Sequence, residues 1–401
     1  MASKTTQFMS RRIVQVFNRY LQPGGEEKSV DRIHEHLRDR HAVTRCLFDS
    51  REWTGHRAPS RLAQLGGLFY NRASRSVFDE MLVRSKAEVA LFHNIYPVGS
   101  PSLFKAALDA KVPVVHFLHN FRPFSVGGTL FANGQLMPEA LVGNYWREVR
   151  TGSWQGSVLK SALFAVMLKW LHRTGWLKSV KHWVAISEFM KAQLIQAGVS
   201  ASQITALRHS WDALPEQPAF GDDGSYLFLG RLVEPKGVEM LLTTWQRLNS
   251  GLGSKTPRLV IAGDGPMRAE VEKAAAILPC IDYVGQLSGT EKESALRAAR
   301  AVVVPSVWWE PLGLVVYEAY DYAKPVLAAR SGGLTETVSH GETGLLHAPG
   351  DCRELARQVC EMEAFSVDRR RQLGENGRRW LLQEANPEQW KQRMDNLLAA
   401  I

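Results

Sequence analysis

The residues best suited to chemistry lie between Pro305 and Leu346, in "PSVWWEPLGLVVYEAYDYAKPVLAARSGGLTETVSHGETGLL". An apolar strand runs into Pro305, Glu310 falls in the loop beyond it, and a helix begins near Gly313. Glu318 follows Glu310 by eight residues, about one turn into that helix. A helix start offers free N–H groups and a positive dipole end, which together suit a diphosphate. A loop carboxylate can accept from sugar hydroxyls, and a second one on the helix from the two hydroxyls of a ribose. Gly332 and Gly333 then let the next loop pass close to the ligand. Taken singly, Glu310 is a helix cap and Glu318 a surface residue; the pair with both glycines favours a site.

A second cluster is "LGRLVEPKG", where a strand delivers Gly230 and Arg231 to its end and Lys236 follows five residues later. Two cations there would neutralise charge developing on a diphosphate leaving group. Alone, each is more often solvated. In "QPGGEE", Gln22 to Glu27, a Gly24–Gly25 turn links the first strand to the first helix and resembles a phosphate-cradling turn. It lacks the spacing of G-x-G-x-x-G or of a Walker A loop, which leaves little ground for a dinucleotide or ATP site. "GDGP", Gly263 to Pro266, reads as a structural turn. In "VPVVHFLHN", His119 stands at the strand end and is the better candidate to face a ligand. His116 falls inside the strand and reads as a hydrogen-bonded core residue. For His93 and Asn94 in "LFHNIYP", site and loop readings weigh evenly.

Short apolar runs alternate with longer amphipathic ones, the pattern of repeated βα units and parallel sheets. In the first half strands are expected at Ile13–Phe17, Val89–Phe92, Val112–Leu118 and Trp183–Ala185, with a weaker candidate at Val43–Phe48 and a helix from about Glu26 to Arg38. In the second half they are expected at Tyr226–Leu229, Leu259–Ala262, Ile281–Val284, Ala301–Val304 and Pro325–Ala328. Helices are expected between them at about Gly237–Leu248, Met267–Ala276, Thr290–Ala299 and Leu314–Tyr322. "ALPEQPAFGDDG", Ala213 to Gly224, marks a boundary rich in Pro, Gly and Asp. The expected division is therefore residues 1–212, a linker 213–224, residues 225–385 and a terminal helix 386–401 returning to the first domain. Ligands of such sheets bind beyond the C-terminal strand ends, so two facing domains would share a central cleft.

The chain has 401 residues, 45% hydrophobic and 22% charged, which excludes disordered, collagen-like and disulfide-scaffold proteins. Residues 1–12 are polar and show no signal-peptide apolar run, and no stretch is long and apolar enough to span a membrane. Four cysteines without C-x-x-C or zinc spacing point to a reduced, cytoplasmic setting without a structural metal. Residues 1–210 carry 28 Lys and Arg against 14 Asp and Glu, while the remainder carries 21 against 26. The basic half suits nucleic acid, an anionic membrane surface or a phosphorylated substrate. Asn144–Trp183 adds Trp146, Trp154, Trp170, Trp176 and Trp183 among cations, and its middle reads as an amphipathic helix. Its apolar face is expected in the core ahead of a membrane interface.

These motifs together resemble the retaining, nucleotide-sugar-dependent glycosyltransferases of family 4, the "group 1" family with the GT-B fold. Matching pieces run from "GGEE" to "GETGLL"; the most specific is E-x7-E, Glu310 to Glu318, with its Gly-Gly loop. "VAISEFMKAQLIQAG" also looks like the family's, and "HNIYPVGSPSL" with "LHNFRP" looks most like bacterial members that build surface polysaccharides. The resemblance implies that Arg231 and Lys236 hold the diphosphate, with Glu310 on the donor sugar and Glu318 on the ribose. It likewise implies that the backbone at Gly24–Gly25 and at Gly313, Leu314 and Val315 approaches the phosphates, and that His119 meets the sugar. It implies no cofactor and no metal, since cations and a helix end replace one. The leaving phosphate would assist the incoming hydroxyl of a glycan or lipid-linked acceptor. The chain departs from the family pattern at His209, Ser210, Trp211 and Asp212, where Asn-Gly-Val-Asp is usual, at "AVTRCLFDS", and at Trp308 and Trp309. A GT-B sugar-nucleotide epimerase would show more carboxylates and histidines at strand ends. A non-catalytic sugar-nucleotide- or nucleic-acid-binding protein is the other alternative, but the dispersed basic residues form no nucleic-acid motif.

Overall fold

The computed structural model describes residues 10–21, 24–56 and 58–401. Gln22 and Pro23 of the Gly-Gly turn, and the polar start of the chain before Ser10, lie outside them. The chain divides into two units. The first comprises residues 1–129, 138–209 and 387–401, and the second residues 130–137 and 210–386.

The first unit is built on a six-stranded parallel sheet of β1 (Arg12–Arg19), β2 (Ala42–Asp49), β3 (Val89–Phe92), β4 (Val114–Leu118), β7 (Val180–Ala185) and β8 (Ile204–Ala206). The order is β2-β1-β3-β4-β7-β8. A two-stranded hairpin, β5 (Phe131–Ala132) and β6 (Gln135–Leu136), lies in the segment that belongs to the second unit, where the Gly134 N–H donates to Glu234. Strands β3 and β4 are buried along their whole length, as continuous apolar runs covered on both faces must be.

The second unit repeats the plan with β9 (Tyr226–Leu229), β10 (Leu259–Ala262), β11 (Ile281–Gly285), β12 (Ala301–Val304), β13 (Val326–Ala329) and β14 (Gly344–His347), in the order β11-β10-β9-β12-β13-β14. All its pairings are parallel. Helix Val238–Leu252 lays Leu241, Trp245 and Leu248 against Tyr226, Leu259 and Val303 of the sheet. The chain therefore has the GT-B architecture of two Rossmann-like units, the second in the doubly wound nucleotide-binding order.

Besides the hairpin strands β5 and β6, two strands of the large sheets were not expected from the sequence, β8 and β14. Each is a three- or four-residue edge strand, too short to show a period. Residues 213–224 are not a free linker. Asp321 accepts from the Leu214 N–H at 2.9 Å, the Lys324 ammonium holds the Gly221 carbonyl at 2.6 Å, and Asp222 pairs with Arg300 and Arg370 at 2.9 Å each. The stretch is thereby fastened to the second unit, and the change of unit falls at His209–Ser210 rather than after Asp212.

Helix Pro387–Ala399 lies with the first unit. Trp390 packs on His36 with ring centroids 5.6 Å apart, and Asp395 accepts from Arg40 at 2.6 Å and meets His41 at 3.0 Å. The Trp-rich segment resolves into helix Val158–Thr174, which buries Phe164, Met167, Leu168 and Leu171. Trp154 stacks on Phe164, Trp170 meets Trp176 edge-on, and Trp183 stacks on His116. Among the described residues, no helix is long and apolar enough to cross a membrane.

Candidate active site

In the second sheet the strand order reverses direction between β9 and β12, the switch point at which doubly wound sheets open a crevice. The β9 end delivers Gly230 and Arg231, and the β12 end delivers the loop 305–313. Gly237, with φ of 74°, brings these loops together; a Cβ there would lie 1.9 Å from the Pro305 carbonyl oxygen. Glu310 is buried, and its Oε2 accepts three hydrogen bonds: from Lys236 Nζ at 2.6 Å, Ser306 Oγ at 2.9 Å and Trp308 Nε1 at 3.0 Å. Three donors on one oxygen fix the rotamer and leave Oε1 for another donor. The sequence pointed to Lys236 and Glu310 separately; the fold puts them in direct contact. Arg231 is exposed, with no side-chain partner among the described residues.

Helix Leu314–Asp321 starts at Gly313, whose φ is 84°. Its first N–H groups, at Leu314 and Val315, have no intrahelical acceptor. Glu318 lies on this helix, half-buried, and its Oε1 accepts from Lys292 Nζ at 3.1 Å. Lys292 was not singled out from the sequence; its place in the first turn of a polar helix gave no signal there. Gly332 and Gly333 serve differently from the expectation. Cβ atoms there would lie 2.3 Å from the backbone oxygens of Glu310 and Pro311, and the Gly333 N–H donates to the Glu310 carbonyl at 2.7 Å. The glycines thus let two loops abut, and so position Glu310. Gly263 is likewise a packing glycine, since its Cβ would strike the Gly230 carbonyl.

In the first unit the order reverses between β1 and β3. Beyond β1, Gly24 precedes helix Gly25–Arg38, and nothing lies within 4 Å of a Cβ built on Gly24. Glu26 accepts from Tyr20 Oη at 2.8 Å and Asn120 Nδ2 at 3.0 Å. With Asn94, His119 and Arg122, Glu26 and Asn120 line a small pocket.

His119 is buried, with Nε2 2.9 Å from His93 Nδ1 and Nδ1 3.3 Å from His209 Nε2. Burial, aided by neighbouring rings, holds His119 and His93 well below the usual histidine range, and burial pushes His209 down to about 3. His116 stands in the core, stacked on Trp183 with Nε2 3.1 Å from the His93 carbonyl, and burial lowers it to about 3. His93 joins His119, whereas Asn94 ties its own loop through Nδ2 to the Tyr96 carbonyl at 3.0 Å. His209 was read only as a departure from a pattern; it follows β8, a strand too short to be read from the sequence, so no local signal marked it.

The fold is shared with solved proteins along nearly the whole chain. HepE from Anabaena, solved with UDP, superposes with a TM-score of 0.67 at 18% identity, covering 97% of this chain and 100% of that one. Sucrose-phosphate synthase from Thermosynechococcus elongatus gives 0.71 at 19% identity, covering 97% and 99%. Glycogen synthase of Mycobacterium tuberculosis is 33% identical over 170 residues, 40% of this chain and 40% of that protein. The chain thus matches well under half the length of that relative. Residues 210–380, which hold Arg231, Lys236, Glu310 and Glu318, match the family described as glycosyl transferases group 1.

Proposed function

We propose that the chain is a glycosyltransferase that moves a sugar from a nucleoside-diphosphate sugar to a hydroxyl of a glycan or glycolipid, with retention of configuration, in the synthesis of a cell-surface polysaccharide. The observation that carries this is the contact of Glu310 with Lys236 at a switch point, inside the stretch that matches the family. In this proposal Glu318 takes the ribose hydroxyls. Lys236, Arg231 and the helix start at Gly313–Val315 meet the diphosphate. Glu310 Oε1 takes a hydroxyl of the sugar. In the first unit, the backbone at Gly24–Gly25 and the His119 ring are the proposed ligand-facing groups. The bond from the anomeric carbon to the phosphate oxygen breaks, and one forms to the acceptor oxygen, whose proton passes to the leaving phosphate. Cations and a helix end then do the work of a metal. That HepE was solved with UDP and with UDP-glucose supports a nucleotide-sugar donor. We read the protein as cytoplasmic, with peripheral contact to an anionic membrane surface as a secondary proposal, since Leu159 and Val166 are exposed beside Lys169 and Arg173.

A thermal-shift series with UDP, GDP, ADP, dTDP and CDP on wild type and Glu318→Ala tests the donor site. A diphosphate that binds only the folded chain raises the melting temperature by mass action. One base should give a shift that Glu318→Ala loses. No shift with any nucleotide would overturn the proposal.

A further inference from the structure

The first unit contains a chain of hydrogen bonds whose direction is set at one end. Gln15, in β1, is fully buried, and its Nε2 lies 3.1 Å from the Val30 carbonyl oxygen and 3.0 Å from His93 Nε2. A carbonyl only accepts, so the amide must turn its NH2 towards Val30, and the same NH2 then donates to His93. The flipped amide would set one oxygen against another and put its NH2 where Oε1 now sits without a partner.

The rest follows by exclusion. His93 Nε2 accepts, so a neutral His93 carries its proton on Nδ1 and donates it to His119 Nε2 across 2.9 Å. His119 then carries its proton on Nδ1 and donates across 3.3 Å to His209 Nε2. His209 keeps its own proton on Nδ1, which no described residue accepts. Full burial keeps the rings neutral, because a cation there would lie out of water and beside further rings. His116 stands outside the chain, since its Nε2 meets the His93 carbonyl instead.

We propose that Gln15 is a positioning residue: through His93 it fixes His119 as the Nδ1–H tautomer with both ring nitrogens engaged, and it sends the donating end of the chain to His209. With both ring nitrogens engaged inside the protein, His119 offers a ligand only its C–H edge; the assignment of the tautomers stands apart from the proposed transfer reaction. A ring so engaged orients its neighbours and does not take the acceptor's proton, which leaves that task to the departing phosphate. His209, a residue that departs from the family pattern, is the group that accepts the His119 proton donor.

The test uses the full chain labelled with nitrogen-15 in its histidine rings, with correlation spectra at neutral pH. Wild type should show His93, His119 and His209 protonated on Nδ1 and bare on Nε2. In Gln15→Glu a neutral carboxyl donates its O–H to Val30 and accepts from His93 Nε2–H. That reverses the chain and puts all three protons on Nε2. The reversed chain still engages both His119 nitrogens, so the reversal is read in the ring spectra rather than in a proton-transfer step. In Gln15→Leu, which keeps the volume and removes the donor, the three rings should lose their single tautomer. If Gln15→Glu does not fold, wild type and Gln15→Leu decide the matter. Wild-type His119 protonated on Nε2, or unchanged tautomers in both variants, would each overturn the proposal. The spectra do not depend on transfer: the nucleotide series judges the transferase reading, and the wild-type ring protons judge this one.

Discussion

Glu310 shows at the scale of one residue how a site is set before a ligand arrives. Its Oε2 is held by an ammonium, a hydroxyl and an indole N–H, and the indole belongs to Trp308, which the sequence marked only as an unusual neighbour. Lys236 is itself only partly exposed, so the pair is a half-buried ion pair whose members depend on each other. Lys236→Met removes the charge and leaves a buried carboxylate with two neutral donors. It should lower stability by about 2 kcal/mol, below the full cost of breaking a deeply buried pair because Lys236 reaches solvent. Lys236→Met with Glu310→Gln removes both charges and should recover much of that loss; under the proposed function, transfer stays low because Lys236 is one of the cations proposed to hold the diphosphate. Chemical denaturation of the two single variants and the double variant measures the coupling. Additive losses would show that the contact contributes nothing to the fold.

At the scale of elements, the sequence carried most of what a parallel sheet requires. The strands "VALF", "YLFL", "LVIA" and "AVVV" are short apolar runs between turns, and they lie where they were expected, because strands buried on both faces need no alternation. The edge strands "ITA" and "GLLH" were illegible, since they pair through backbone on one side only and their sequences carry no period. The Gly-Gly loop was legible as a feature but not in its cause. Spacing suggested an approach to ligand, while the geometry makes Gly332 the floor against which the Glu310 loop rests. Gly332 combines a φ of 59° with a Cβ position 2.3 Å from the Glu310 oxygen. Gly332→Ala should therefore destabilise the protein by roughly 1–3 kcal/mol and displace Glu310, so kcat/KM should fall further than the melting temperature implies. Gly24→Ala is the contrast, because an added Cβ there meets nothing within 4 Å and stability should hold. Equal stability in both variants would remove the packing account of Gly332.

Across the whole molecule, the buried histidines tie the fold to pH. The sequence showed strand-end histidines, but their number in one core depends on four residues from three separate segments: His93, His116 with His119, and His209. All four are held below the ordinary histidine range by burial, His116 and His209 down to about 3. A ring kept neutral in the fold protonates more readily in the unfolded chain, where its pKa is about 6.5. The unfolded state therefore binds more protons below pH 6.5, and stability must fall as pH drops from there towards 3. Above pH 6.5 both states are neutral and these rings impose no penalty. Each ring contributes up to about 1.4 kcal/mol per pH unit inside that window. His116 and His209 alone should make the protein roughly 3 kcal/mol less stable at pH 5.5 than at pH 8. Urea midpoints at pH 8, 6.5 and 5.5 check this, with the smaller part of the loss over the first interval and the larger part over the second. His116→Phe keeps an aromatic ring against Trp183, removes one titrating group and should make the loss shallower. A midpoint that stays constant down to pH 5.5 would mean that water reaches these rings and that the histidine chain is not a neutral one.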